Sequence, residues 1–280
     1  MSIELAFEAV GSGPPVVILH GLFGAGRNWA AIAKALGETH RVYLPDARNH
    51  GASKWAETMS YPEMARDVLA LVQREHLRRP VLIGHSMGGK TAMALALEYP
   101  QAVGGVAVID IAPESYADQF SPYVSAMRGV DLAAATSRNE VRLVLADRLA
   151  GAPIDFLMQN LRRRDERFDW RINLMATALC MQDLCGFPNA LLDAQYGGSA
   201  LFIAGAASDY VRAESLARIH SMFPRAQLEH IANAGHWVHA DQPQALLSVL
   251  RSWLNQADAP HEVTHAATPA ARPRPTLVTN

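Results

Sequence analysis

Short β-branched apolar runs alternate with longer stretches of helical period along this chain, and that alternation restricts it to a mostly parallel sheet with helices on both faces. The runs at residues 16–19, 42–44, 81–83, 106–109, 201–204 and 228–231 are the predicted strands. Helices are predicted between them at 29–36, 61–76, 87–99, 213–222 and 243–254. Residues 3–9 alternate and then meet Gly11-Ser12-Gly13-Pro14-Pro15, which predicts an antiparallel edge strand entering a turn. Ser60-Tyr61-Pro62-Glu63 has the spacing of a capping box, in which serine and glutamate satisfy free amides at a helix start.

Between Asp110 and Leu201 lie about ninety residues of helical period without a good strand, far more than a crossover needs. The reading is an α/β core formed by residues 1–112 and 197–255, with residues 113–196 inserted as a helical cap. Residues 256–280, rich in Ala, Pro and Thr and lacking apolar periodicity, are expected to be disordered.

Composition matters mainly for what it excludes. With half of its residues hydrophobic, 19% charged and a net charge of −2, the chain has a filled core and no basic surface that asks for nucleic acid. The run Arg162-Arg163-Arg164 is answered at once by Asp165 and Glu166 and reads as a solvated helix face. No apolar run reaches the roughly eighteen residues of a membrane span and no signal peptide precedes the first strand, so a cytoplasmic protein without a membrane partner is expected. Cys180 and Cys185 read as free thiols. His236 and His239 lack a third ligand, so no metal is expected. Neither Gly-x-Gly-x-x-Gly nor a Walker pattern occurs, and no cofactor is called for.

The chemistry centres on Gly84-His85-Ser86-Met87-Gly88. A Gly-x-Ser-x-Gly match alone is weak, and Ser86 could be no more than a helix cap. Its setting raises its value, because Pro80-Val81-Leu82-Ile83 is a buried strand leading in and a helix leads out. Strand, tight turn and helix would lift the serine above the sheet edge, with the positive end of the helix directed at the site.

A serine hydroxyl needs a base and a group to orient that base. His236, in Asn233-Ala234-Gly235-His236-Trp237 between the last strand and the final helix, is the base candidate, downstream of both nucleophile and acid. His85 is adjacent to Ser86, but neighbouring residues on a turn point apart. His20, His50 and His239 read as structural or pocket-lining, and Asp46 and Asp241 as turn and cap residues. Two aspartates compete as the acid. Asp209 follows a strand in Ala207-Ser208-Asp209-Tyr210, and Asp110 ends the strand after the nucleophile's own unit; both stand at carboxyl ends of strands.

The oxyanion requires two backbone amides. Met87 offers one, and Leu22, in His20-Gly21-Leu22-Phe23-Gly24, the other. Residues that could line a substrate pocket are His20, Phe23, His85, Phe120, Met127, Leu157, Met158, Trp170, Leu174, Met175 and Trp237, although apolar cap residues mostly bury one another.

Taken together, His20-Gly21-Leu22-Phe23-Gly24, Asp46-Ala47-Arg48-Asn49-His50-Gly51, Gly84-His85-Ser86-Met87-Gly88-Gly89-Lys90, Ile109-Asp110-Ile111-Ala112-Pro113 and Gly235-His236-Trp237-Val238-His239 resemble one branch of the α/β-hydrolase superfamily. It is the branch of small bacterial acyl-ester and acyl-thioester esterases and their mitochondrial abhydrolase-domain relatives, and the resemblance spans about residues 15–254. It implies an α/β-hydrolase fold with a helical cap and cofactor-free hydrolysis of carboxylic or thioester bonds. Members often lack an aspartate where this chain has Asp209, so the resemblance ranks Asp110 first and Asp209 second.

The expected function is that of a carboxylesterase-type serine hydrolase acting on a small-molecule ester, with short to medium acyl or aryl groups, through an acyl-enzyme. The alternatives are a thioesterase or a carbon-carbon bond hydrolase or lyase on the same triad, or a non-catalytic binding protein on the same fold. Dehalogenase and epoxide hydrolase chemistry would need a carboxylate where Ser86 stands.

Overall fold

The computed structural model describes residues 2–257. In chain order its elements are β1 (Phe7–Val10), β2 (Pro15–Leu19), α1 (Ala30–Leu36), β3 (Arg41–Pro45), α2 (Tyr61–Arg74), β4 (Val81–His85), α3 (Met87–Glu98) and β5 (Gly105–Ile109). The middle segment holds α4 (Ser121–Arg128), α5 (Arg138–Arg148), α6 (Ile154–Met158), β6 (Leu161–Arg164), β7 (Arg167–Trp170), α7 (Leu174–Leu179) and α8 (Met181–Cys185). The chain then returns through β8 (Ser199–Gly205), α9 (Ser215–Met222), β9 (Ala226–Ile231), α10 (Val238–Asp241) and α11 (Pro243–Ala257).

Seven strands form one sheet in the order β1-β3-β2-β4-β5-β8-β9. All neighbours are parallel except β1, which runs antiparallel to β3 at the edge, as the alternating N-terminal pattern predicts. Successive residues of the central strands feed opposite layers. Val81 and Ile83 of β4 pack with Trp29, Ile32 and Leu36 and with Leu246, Leu250 and Trp253 of α11, whereas Leu82 faces α2, α3 and the middle segment. A strand buried on both faces must be apolar at every position, hence the unbroken runs in the sequence. Helix α3 is buried along Met87–Leu97, wrapped by sheet, α2 and the segment above it.

The capping box forms at the start of α2, where the Glu63 carboxylate accepts the Ser60 amide at 3.0 Å. Helix α11 runs on to Ala257, three residues beyond the apolar stripe that predicts it, so the expected disorder from residue 256 starts too early; residues 258–280 lie outside the described residues.

Two expectations for the middle segment are corrected. It is not purely helical, and Arg162-Arg163-Arg164 is not a helix face: β6 and β7 form an antiparallel hairpin pairing Leu161 with Trp170 and Arg162 with Asp169. The turn is Asp165-Glu166, both at positive φ (47° and 66°), without the glycine that usually marks such a hairpin. With the turn signal missing and both strands dense in charge, nothing in the pattern separated strand from helix. Among the described residues no helix is long and apolar enough to cross a membrane, and no group of three or more His, Cys, Asp or Glu side chains could hold a metal ion.

Arg48, from the Arg-Asn-His-Gly segment, ties the loop after β3 to α2. Its guanidinium grips Asp67 in a two-point pair, Nε to Oδ2 at 2.6 Å and Nη2 to Oδ1 at 2.9 Å, and meets Glu63 Oε1 at 3.2 Å. Both Arg48 and Asp67 are almost entirely buried. Asp67→Ala removes the two-point partner of a buried arginine that keeps Glu63 beside it, so it is expected to cost about 2–4 kcal/mol of stability in urea unfolding. A loss below about 1 kcal/mol would mean that water or another group replaces the carboxylate.

Candidate active site

The Gly84–Gly88 segment is a sharp elbow between β4 and α3. Ser86 sits at its apex with φ 52° and ψ −118°, a conformation that costs a side-chain-bearing residue energy and persists only where its surroundings impose it. They do so here: the Ser86 amide donates to Ile109 O at 3.0 Å, and Ser86 O accepts the Lys90 amide at 3.0 Å. The flanking glycines are steric requirements. A methyl group on Gly84 would collide with Gly88 O, and one on Gly88 with Leu19 O.

The two candidate acids part company. Asp110, itself at positive φ (53°) and fully buried, lies one residue beyond β5, next to the strand that carries the elbow. Its Oδ2 accepts from His236 Nδ1 at 2.8 Å and from the Ser208 hydroxyl, while Oδ1 accepts the Gly205 amide at 2.9 Å. Asp209 is exposed on the turn after β8. The position after β8 therefore contributes Ser208, which holds the carboxylate of Asp110.

His236 is brought into the cavity that Ser86 lines by the loop after β9. The Gly235 amide donates to Asp241 Oδ2 at 2.8 Å, fixing the loop against the start of the final helices, and Tyr210 stacks on the imidazole with ring centroids 4.1 Å apart. His85 does not act on Ser86: its Nε2 donates to the backbone oxygen of His236 at 2.8 Å, clamping the loop from below.

In the loop after β2, the amides of Phe23 and Gly24 are engaged by His50 Nε2 (3.3 Å) and Gly21 O (3.0 Å), so neither is the free amide that an oxyanion donor must be. Two histidines brace the loop in defined tautomers. His20 donates from Nδ1 to Gly21 O (2.8 Å) and accepts the Ala47 amide at Nε2 (2.9 Å), and His50 donates from Nδ1 to Arg48 O (3.0 Å). Asp46 and Asp241 hold turns, as expected: Asp46 accepts the Gly26 and Ala52 amides, both at 2.8 Å.

Burial holds this histidine shell neutral. It lowers His20, takes His50 down to about 3, His239 down to about 4 with help from the neighbouring His236, and His85 well below its usual value. Unfolded, each would titrate near 6.5 and bind a proton that the folded form refuses. The stability they contribute is thus complete above pH 6.5 and is lost as pH falls toward 4 and below. The melting temperature is expected to drop between pH 7 and pH 5; an equal or higher value at pH 5 would contradict the neutral shell.

A cleft opens over Ser86. Its wall includes His20, Leu22, Phe23, His85, Phe120, Leu157, His236 and Trp237, so six of the eleven expected pocket residues (His20, Phe23, His85, Phe120, Leu157, Trp237) are in place. Met127, Met158, Trp170 and Leu174 are corrected: they are buried in the core that seals the middle segment to the sheet, with Trp170 Nε1 donating to Met127 O at 3.2 Å, and Met175 is exposed. The pattern missed Tyr123, Pro153 and Phe156 on the same wall, and Ser208 and Tyr210 around the imidazole. No spacing rule marks these, because they come from separate loops and short helices.

A family model described as the alpha/beta hydrolase fold matches residues 14–243. The chain is 38% identical over 260 residues to a Xenopus tropicalis protein named sn-1-specific diacylglycerol lipase ABHD11, covering 90% of this chain and 81% of that one. It is 32% identical over 243 residues to the Escherichia coli protein named Esterase YbfF, covering 86% and 93%. Among solved structures, one titled "Marine microorganism esterase" superposes with a TM-score of 0.87 at 35% identity, over 90% of this chain and all of that one.

Proposed function

The chain belongs to the α/β-hydrolase family, and from that premise we propose that it hydrolyses carboxylic esters through an acyl-enzyme formed on Ser86. The observation that carries the reading is the strained serine elbow opening into the same cavity as His236, an imidazole whose Nδ1 is held 2.8 Å from the buried Asp110 carboxylate. Relatives named as an esterase and as a diacylglycerol lipase support ester hydrolysis as the reaction class.

In this mechanism Ser86 Oγ attacks the ester carbonyl while His236 Nε2 takes its proton, and Asp110 keeps Nδ1 protonated and stabilises the imidazolium. The Leu22 and Met87 amides hold the oxyanion. The imidazolium then protonates the leaving alcohol, and water, activated by the same histidine, releases the acid. The apolar wall of Phe23, Phe120, Tyr123, Phe156 and Trp237 suits an ester with a short to medium acyl or an aryl group. Residues 113–196 act as the cap that closes this wall over a core of 1–112 and 197–255.

A fluorophosphonate probe tests the nucleophile directly. Stoichiometric labelling on the peptide that contains Ser86 is expected, and folded protein that stays unlabelled would refute the proposal.

A further inference from the structure

A second, narrow chamber also reaches Ser86, between α3 and the end of α8. Its wall includes Tyr61, Met87, Lys90, Tyr116, Cys185 and Tyr210. The mechanism above does not use Lys90, although it is one of the most buried side chains of the protein, at 1% exposure. Its ammonium donates to two backbone oxygens, Cys185 O at 3.0 Å and Gly186 O at 2.6 Å, and faces the rings of Tyr116 (4.8 Å) and Tyr61 (5.5 Å). All of these partners are neutral.

No carboxylate lies within ion-pair distance of Lys90 among the described residues. Glu114, a carboxylate that acts on it from farther away, is engaged by the Ser215 hydroxyl at 3.0 Å and by Arg212 at 3.8 Å. The chamber's other titratable groups offer no anion, because burial raises the Cys185 thiol and the phenols of Tyr61, Tyr116 and Tyr210. Burial also lowers Lys90 itself to about 7, the response of a cation that lacks a counter-ion. Buried charges in proteins are normally paired, and two carbonyl bonds leave the third N–H of this ammonium to be used.

We propose that this chamber receives an acyl chain ending in a free carboxylate, with Lys90 as its counter-ion, so that the preferred ester is a half-ester of a short dicarboxylic acid. The inference rests on the esterase reading and adds the substrate class. Ser86, at the apex of the elbow, and Lys90, on the first turn of α3, line the same chamber, so an acyl carbonyl at Ser86 and a carboxylate at the lysine share one confined space and the chain between them is short.

The test compares monoethyl glutarate with ethyl pentanoate, an ester of similar length without the charge. The ratio of their kcat/KM values is expected to be about tenfold or more in favour of the half-ester in the wild type, to collapse to one or below in Lys90→Met, and to recover in part in Lys90→Arg. A wild-type ratio at or below one, or a preference that Lys90→Met leaves intact, overturns the proposal and reduces Lys90 to a latch between α3 and α8. Calorimetric titration of wild type and Lys90→Met with glutarate separates this inference from the esterase reading. Binding by the wild type that Lys90→Met loses supports the carboxylate site even where neither ester is cleaved, whereas an absence of glutarate binding by the wild type counts against it even where ethyl pentanoate is hydrolysed.

Discussion

Ser86→Ala is expected to lower kcat toward p-nitrophenyl esters by about 10⁴–10⁶-fold while leaving the fold in place. The size follows from the chemistry: without Oγ no acyl-enzyme forms, and what remains is the oxyanion donors and the cavity acting on a water molecule. The preserved fold follows from the backbone. Alanine keeps the Cβ of serine, so the φ 52° elbow is no more strained than before, and the amide bond to Ile109 O at 3.0 Å does not involve the side chain. Rates for a chain-length series of p-nitrophenyl esters, with melting curves of both proteins, check both parts. A fully folded Ser86→Ala that retains more than about a hundredth of wild-type kcat would assign the nucleophile elsewhere.

Asp110→Asn is expected to lower kcat by about 10⁴-fold, and Asp209→Asn to leave it within about twofold. Asparagine tolerates the positive φ of residue 110 nearly as well as aspartate, so the backbone should not move. The failure is electronic. Oδ2 of Asp110 accepts from both His236 Nδ1 and Ser208 Oγ, whereas an amide nitrogen in its place donates. His236 would then present a lone pair at Nδ1 and carry its proton on Nε2, the atom that must take the proton of Ser86. Asp209 is exposed and takes no part in this network. Equal and large losses in the two variants would mean that the turn after β8 also holds the imidazole.

Much of this site was legible in the chain because its parts obey local rules. The elbow needs glycine on either side of Ser86 for reasons of contact, the capping box writes the start of α2 into Ser60 and Glu63, and strands buried on both faces must be apolar throughout. Such rules act within a few residues, so sequence order reports them. The hairpin Leu161–Trp170 escaped because its turn, Asp165-Glu166, lacks the expected glycine and its arginines mask the period of two. The cavity wall was half legible: His20, Phe23 and Trp237 flank motifs and Phe120 stands in the apolar set of the inserted segment, whereas Tyr123 and Phe156 carry no signature.

The sequence by itself determined the alternating architecture, the serine elbow at Gly84–Gly88, the loop that carries His236 and the glycine-flanked turn after β2. The resemblance ranked Asp110 above Asp209, but only the tertiary structure gave a physical ground for placing one beside His236, since both follow a strand and both are ionisable. Strand order decides between them: β5 lies between β4, which carries the elbow, and β8, so Asp110 is buried beneath His236 and takes the Ser208 hydroxyl and the Gly205 amide from the neighbouring turn, while Asp209 on that turn faces solvent. A triad is a set of distances between atoms more than a hundred residues apart in the chain, and such distances are set by how the strands pair and not by the order of the residues.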